Sequence, residues 1–238
     1  MKPKVIALIA ITVCGRLGAE QFTPLVLPTL TENILNWTDG AAYAPLYPSS
    51  APTLGGIPFS FQTDGRGNNI FYGGSLGAPV SADLHIPVGI YGATAVYTLI
   101  NTAYGTSGSV VGSVTFNGTG GLTYQLDLVE GFNVRDHYWG GFENGTSDPS
   151  TTQAVYGINA PGNAHYDMQK FTLPAGFSSE TLTEIIFSST GVGFPNGKPF
   201  LAAATVASTS VPDTGGTLGL LSLSLVGMAW LTRRGFKS

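Results

Sequence analysis

Apolar and polar residues alternate with a period of two through much of the middle of this chain. In "IPFSFQ" the apolar Ile57, Phe59 and Phe61 fall on one side and Ser60 and Gln62 on the other. Successive side chains of extended chain point to opposite faces, so this pattern predicts a half-buried strand. Over residues 93–105 both parities are apolar, with Tyr97 and Leu99 on one face and Val96 and Ile100 on the other; such a strand is expected to be central and covered on both sides. In residues 109–131, Val114 and Phe116 share a face, "NGTGG" supplies a turn, and Leu122, Tyr124, Leu126 and Leu128 recur at two-residue intervals. That is the signature of an antiparallel hairpin, because Asn and Gly accept the positive φ of tight turns. Further strands are expected at 153–159, 168–174, 182–189 and 198–208, with no amphipathic helix of useful length between them.

Roughly eight to ten short strands predict an all-β fold, an antiparallel two-sheet sandwich of jelly-roll type that buries the inner faces of both sheets, with a barrel as the structural alternative. No repeat of the propeller or solenoid kind is visible. Residues 20–53 depart from the pattern. They are apolar but aperiodic, and Pro24, Pro28, Pro45, Pro48 and Pro52 break any helix or central strand. This segment is expected to lie extended on the domain, with one short helical turn or edge strand at 31–37.

Composition reinforces the all-β reading: 33 Gly and 15 Pro with only 10% charged residues favour turns over surface helices. The net charge of -4 hides an asymmetry, since Lys2, Lys4, Arg16, Arg233, Arg234 and Lys237 all sit in the terminal segments. Residues 20–210 carry 13 acidic side chains against Arg66, Arg135, Lys170 and Lys198, a net of -9. Nucleic-acid binding needs clustered Lys and Arg and is excluded as a function class.

The two ends read as addresses. Lys2 and Lys4, an apolar run over 5–14, and small residues Gly18 and Ala19 before Glu20 have the layout of a secretory signal peptide over 1–19. The run is about half the ~20 residues that a spanning helix needs, which sets the permanent-anchor alternative apart. Cleavage after Ala19 would remove Cys14, the single cysteine, so the exported body relies on its apolar core and not on disulfides. Near the other end, the apolar run 218–231 is short for a span and is followed by Arg233 and Arg234. Positive charge stays in the cytoplasm, which places residues 20–210 outside.

The tail as a whole, "VPDTGG" (Val211, Pro212, Asp213, Thr214, Gly215 and Gly216), then an apolar segment, then a basic end, resembles the bacterial PEP-CTERM class of sorting signals, in particular its Val-Pro-Asp-Ser-Gly variant. Pro212-Asp213-Thr214 stands where the main family has Pro-Glu-Pro. The resemblance implies export by the Sec machinery and cutting near the motif by an exosortase-like membrane enzyme. It also implies transient inner-membrane attachment through the tail, and a final place on the cell surface or in the polysaccharide matrix of a Gram-negative-type bacterium. Pro212, Gly215 and Gly216 would keep the motif extended for a protease to bind as a strand. A plain C-terminal anchor is the alternative. The expected organisation is therefore a signal peptide (1–19), a Pro-rich extended segment (20–53), a β-sandwich (54–208) flanked by signal and tail helices, and a sorting signal (209–238).

Enzyme signatures such as GxSxG, HExxH and phosphate-cradling loops are absent from the sequence. His85, His137 and His165 are scattered, and the loop "TDGRGNN" at 63–69 has only Asp64 where a calcium loop needs several carboxylates. Neither a metal nor a cofactor is expected. The densest chemistry is "RDHYW", Arg135, Asp136, His137, Tyr138 and Trp139, a mixture suited to carbohydrate because aromatic faces stack on sugar rings while charged groups bond hydroxyls. The competing reading is a strand end where Arg135 pairs with Asp136 and Trp139 caps the core. Asp127 with Glu130, or Asp136 with Glu143, are the carboxylate pairs that a glycosidase would require, but spacing alone assigns no catalytic residue. The segments "GGIPFSF", "VYTLINTAYG", "SVTFNGTGGLTYQLDL" and "FNVRDHY" resemble galactose-binding-like β-sandwiches over residues 53–208. That resemblance implies a sugar-binding surface protein, with a purely structural one as the rival.

Overall fold

The computed structural model describes residues 19–73, 81–190 and 194–209. Residues 1–18 of the expected signal peptide (1–19), the motif at 211–216, the apolar run 218–231, the basic pair Arg233 and Arg234, and both expected flanking helices lie outside the described residues. Glu20–Thr209 forms one compact unit.

The unit is predominantly β, with antiparallel sheets, one of them curled into a half-barrel. Twelve strands are described: β1 Glu20–Pro24, β2 Thr53–Leu54, β3 Ile57–Pro58, β4 Phe71–Tyr72, β5 Ala82–Tyr91, β6 Ala93–Ala103, β7 Val110–Gly118, β8 Thr123–Val129, β9 Thr151–Gly157, β10 His165–Thr172, β11 Thr181–Ser189 and β12 Lys198–Thr209. The described helical elements are all short 3-10 turns. One sheet runs in the order β1-β12-β6-β10-β9 with β4 also beside β12; the second runs β5-β11-β7-β8.

The predicted hairpin is β7 with β8, paired antiparallel from Asn117 opposite Thr123 to Val110 opposite Val129. Gly120 and Gly121 hold φ of 67° and 77° in its turn, a conformation that a side chain disfavours. The inward residues Val114, Phe116 and Leu128 join Leu84 and Ile86 of β5 and Ile185 and Phe187 of β11. Opposite them, in the same core, lie Val96 and Ile100 of β6, Phe171 of β10, and Leu201 and Val206 of β12. Each such side chain contributes roughly 1.5–3 kcal/mol on burial.

β6 is also apolar on its other face, as its double parity predicts. There Tyr97, Leu99 and Ala103 meet Tyr166 and Met168 of β10, Phe200 and Ala203 of β12, and a layer of Ile34, Tyr43 and Leu46 from the Pro-rich segment with Phe59 and Phe61 just after it. The segment is thus a third layer within the compact unit. It opens with β1 paired along β12, and Leu25 and Leu27 reach the inter-sheet core. The expected strand at "IPFSFQ" shortens to Ile57–Pro58, paired with Thr53–Leu54; Phe59 and Phe61 are buried beyond it.

Register fixes the polarity of the unit. Glu20 lies opposite Thr209, so the two ends of the body are neighbours. β6 starts beside them, with Ala93 opposite Ser208, and runs to Ala103 opposite Lys198. The far end of β6 and β12 carries the candidate site.

Candidate functional site

Just past β6, residues 135–137 add a short parallel bridge to the sheet. Thr102 donates its amide to the Arg135 carbonyl and accepts from the His137 amide, both at 2.9 Å. In extended chain neighbouring side chains diverge, so Arg135 and Asp136 face apart.

Arg135 is fully buried, and its partner is Asp167 on β10, not Asp136. Nε and Nη2 donate to the two Asp167 oxygens at 2.7 and 2.8 Å, while Nη1 donates to the Asn144 carbonyl and Asn159 Oδ1 at 2.6 and 2.9 Å. Asp167 also accepts from Asn101 Nδ2 and the Ala154 amide. The bidentate geometry is the strong, directional form of this pair. With no exposed surface, the guanidinium offers nothing to a ligand; the pair instead ties β6, β9 and β10 to the 131–150 loop.

Asp136, His137 and Tyr138 line a cavity of about 420 Å³ together with Asn36, Trp37, Thr38, Ala103, Tyr104, Gly140, Gly141 and Phe142. Trp139 is not among its lining residues; its backbone is tied to Asn163 and Gly162. The aromatic wall comes instead from Trp37, Tyr104, Tyr138 and Phe142, three of which lie outside the "RDHYW" run.

Trp37 is placed by its local turn. Asn33 caps the 3-10 turn Ile34–Asn36 through the Leu35 amide, Asn69 accepts the Ile34 amide and donates to Asn33, and the Trp37 amide closes on the Ile34 carbonyl. Asp39 then accepts the Ala164 amide at 2.8 Å, fastening this layer to the start of β10. The indole meets His137 at 5.2 Å, Tyr72 at 4.9 Å and Phe200 at 5.3 Å, all edge-to-face.

Electrostatics set the polar side of the cavity. Burial pushes the Asp136 carboxyl up to about 7, against the pull of the Tyr138, Tyr104 and His137 amides. Near neutrality it can therefore either accept or donate a hydrogen bond. Burial pushes His137 down to about 3, with His165 acting the same way, so the ring is neutral and its Nδ1 sits 3.3 Å from the Tyr43 hydroxyl. That hydroxyl donates to the His165 carbonyl at 2.8 Å.

Behind the cavity, Glu130 is sealed. Its exposure is 1%, and neither carboxyl oxygen has a hydrogen-bond partner among the described residues; the Thr102 hydroxyl donates to the Tyr104 carbonyl. Burial raises Glu130 to about 8, and Asp136 and Glu143 push in the same direction. A Cβ on Gly105 or Gly197 would collide with this carboxyl, so the two glycines make room for the acid. Gly197→Ala, at φ +110°, is expected to cost about 1–3 kcal/mol by overpacking, read as a lowered urea midpoint. Asp127 is exposed on β8 whereas Glu130 is inaccessible, so this pair does not share a cleft. Among the described residues no group of three or more His, Cys, Asp or Glu is arranged to hold a metal ion, and no helix is long and apolar enough to cross a membrane.

The cavity therefore offers four aromatic rings, one carboxyl and one neutral imidazole, at the end of the unit opposite Glu20 and Thr209. The chain matches no protein-family model, and no curated protein shows significant similarity to it.

Proposed function

We propose that this chain is an exported, non-catalytic carbohydrate-binding protein of the cell surface or extracellular matrix, with a body of the two-sheet sandwich, jelly-roll kind. On this reading the Sec machinery exports it, an exosortase-like enzyme cuts it at the 211–215 motif, and extracellular polysaccharide is its partner. The observation that carries the binding reading is the cavity, whose Trp37, Tyr104, Tyr138 and Phe142 surround Asp136 and His137. Aromatic faces take the C–H faces of a sugar ring, and a few convergent polar groups select its hydroxyls. Its position supports the same reading: a body tethered through either Glu20 or Thr209 leaves the opposite end open.

A glycan array probed with the purified full-length protein tests this. Trp37→Ala is expected to weaken retention of any bound glycan about five- to tenfold, in line with the loss of a stacking contact of ~1–1.5 kcal/mol. Since Trp37 also packs on Tyr72 and Phe200, Gly141→Leu serves as a second variant. Gly141 lines the cavity and no atom lies within 4 Å of a Cβ there, so the substitution adds bulk at the cavity wall where the backbone has room for a Cβ. Loss of retention in Gly141→Leu with an unchanged unfolding midpoint supports the site, as does full retention in Trp139→Ala. Silence of the wild-type protein across diverse glycans would favour a purely structural surface protein, and turnover of a polysaccharide would defeat both readings.

A further inference from the structure

Phe194 stands 67% exposed in the approach to β12, and its surroundings explain why. Its ring meets Tyr104 at 5.4 Å and Phe142 at 5.8 Å, and those two meet at 5.1 Å, all edge-to-face. Three separate parts of the chain converge here: the end of β6, the connection from β8 to β9, and the approach to β12. Tyr104 and Phe142 line the cavity and Phe194 does not, so apolar surface runs without a break from the cavity out to solvent. Tyr104 has φ 68°, a left-handed conformation that costs a residue with a side chain about 1–2 kcal/mol. Such strain persists where the surroundings over-determine it, and it clusters at ligand clamps.

Building on the carbohydrate reading of the cavity, we propose that Phe194, with the outer edges of Tyr104 and Phe142, forms a second subsite. The site then takes a chain of neutral, β-linked hexopyranoses and not a single sugar. A ring whose substituents are all equatorial presents C–H surface on both faces, so one unit seated against Trp37 leaves the next to stack on Phe194. Neutrality follows from charge: among the described residues no Lys or Arg lines the cavity, and residues 20–210 carry a net charge of -9, a setting that disfavours an anionic polysaccharide.

Calorimetric titration of the full-length protein with glucose, cellobiose, cellotetraose and cellohexaose tests the subsite. Affinity is expected to rise about tenfold from glucose to cellotetraose. Phe194→Ala is expected to remove that rise and leave the glucose affinity unchanged, which a merely structural Phe194 would not do. Measurable binding with equal affinity at every length, or a Phe194→Ala variant weakened equally at every length, overturns the subsite and leaves the cavity reading standing. No binding at any length overturns the subsite too, and the cavity then stands or falls on the glycan array.

Discussion

Asp167→Ala is expected to destabilise the protein by about 3–5 kcal/mol, because removing one partner of a buried ion pair leaves the other charge uncompensated. Here the stranded charge is Arg135, which is fully buried and has Asp167 as its only carboxylate partner among the described residues. Asn101 Nδ2 and the Ala154 amide lose this acceptor at the same time, which adds to the cost. Against a total stability of roughly 5–15 kcal/mol for a domain, the loss is a large fraction of what holds the unit together. A urea titration followed by tryptophan fluorescence measures it as a shift in midpoint at unchanged slope. The double variant Arg135→Met with Asp167→Leu separates the pair's net worth from the cost of breaking it: replacing both charges by apolar groups is often neutral or stabilising, so the double variant is expected to be more stable than Asp167→Ala. A single variant within ~1 kcal/mol of wild type would mean that the pair carries no structural weight.

Arg135 also shows where sequence patterns reach and where they stop. The hairpin of β7 and β8 and the two-sided burial of β6 are both written in period-two alternation, and alternation depends only on local chain geometry. The same rule bears on Arg135 and Asp136: if 135–137 is extended, adjacent side chains face opposite ways, so those two cannot pair and Arg135 must find an acid elsewhere. Which acid it finds is a tertiary fact, fixed by the register that sets β10 beside β6.

β5 is hidden for a different reason. Leu84, Ile86, Val88 and Ile90 do alternate inward, but Pro87 and Gly89 mask the pattern. Both are tolerated because β5 is an edge strand and Pro87 sits where its register with β11 shifts. Trp37 lies beyond the reach of pattern altogether. It belongs to an aperiodic Pro-rich segment, and it faces His137 only through Asn33–Asn69 and Asp39–Ala164 bonds between distant parts of the chain. Of the "RDHYW" run, the structure brings Asp136, His137 and Tyr138 to the cavity, while Arg135 and Trp139 stay out of its lining.

Stability is expected to fall by about 2 kcal/mol between pH 6.5 and pH 8, and Glu130→Gln is expected to abolish most of that fall. Glu130 rises from 4.5 to about 8 and Asp136 from 3.8 to about 7, both through burial. The folded chain keeps these protons where the unfolded chain releases them. Their stabilisation is therefore fully present below pH ~4 and is lost as pH rises, until about 7 for Asp136 and about 8 for Glu130. His137 and His165 work in the opposite sense. Burial lowers both below 6.5, so the unfolded chain binds protons that the folded chain refuses, and stability falls as pH drops below 6.5. Between about 4 and 6.5 the two slopes offset each other. Above 6.5 the unfolded histidines lose their remaining protons and Asp136 loses its own around 7, two small slopes of opposite sign, so Glu130 carries most of the fall to 8, at up to about 1.4 kcal/mol per pH unit. A glutamine in place of Glu130 keeps the shape of the side chain and removes its titration. Urea midpoints of Glu130→Gln are thus expected to stay level from about pH 7 to 8 while wild type and Asp136→Asn both decline. A wild-type protein equally stable at these two ends of the range, or a Glu130→Gln variant with the wild-type slope, would mean that Glu130 releases its proton in the folded chain as readily as in water.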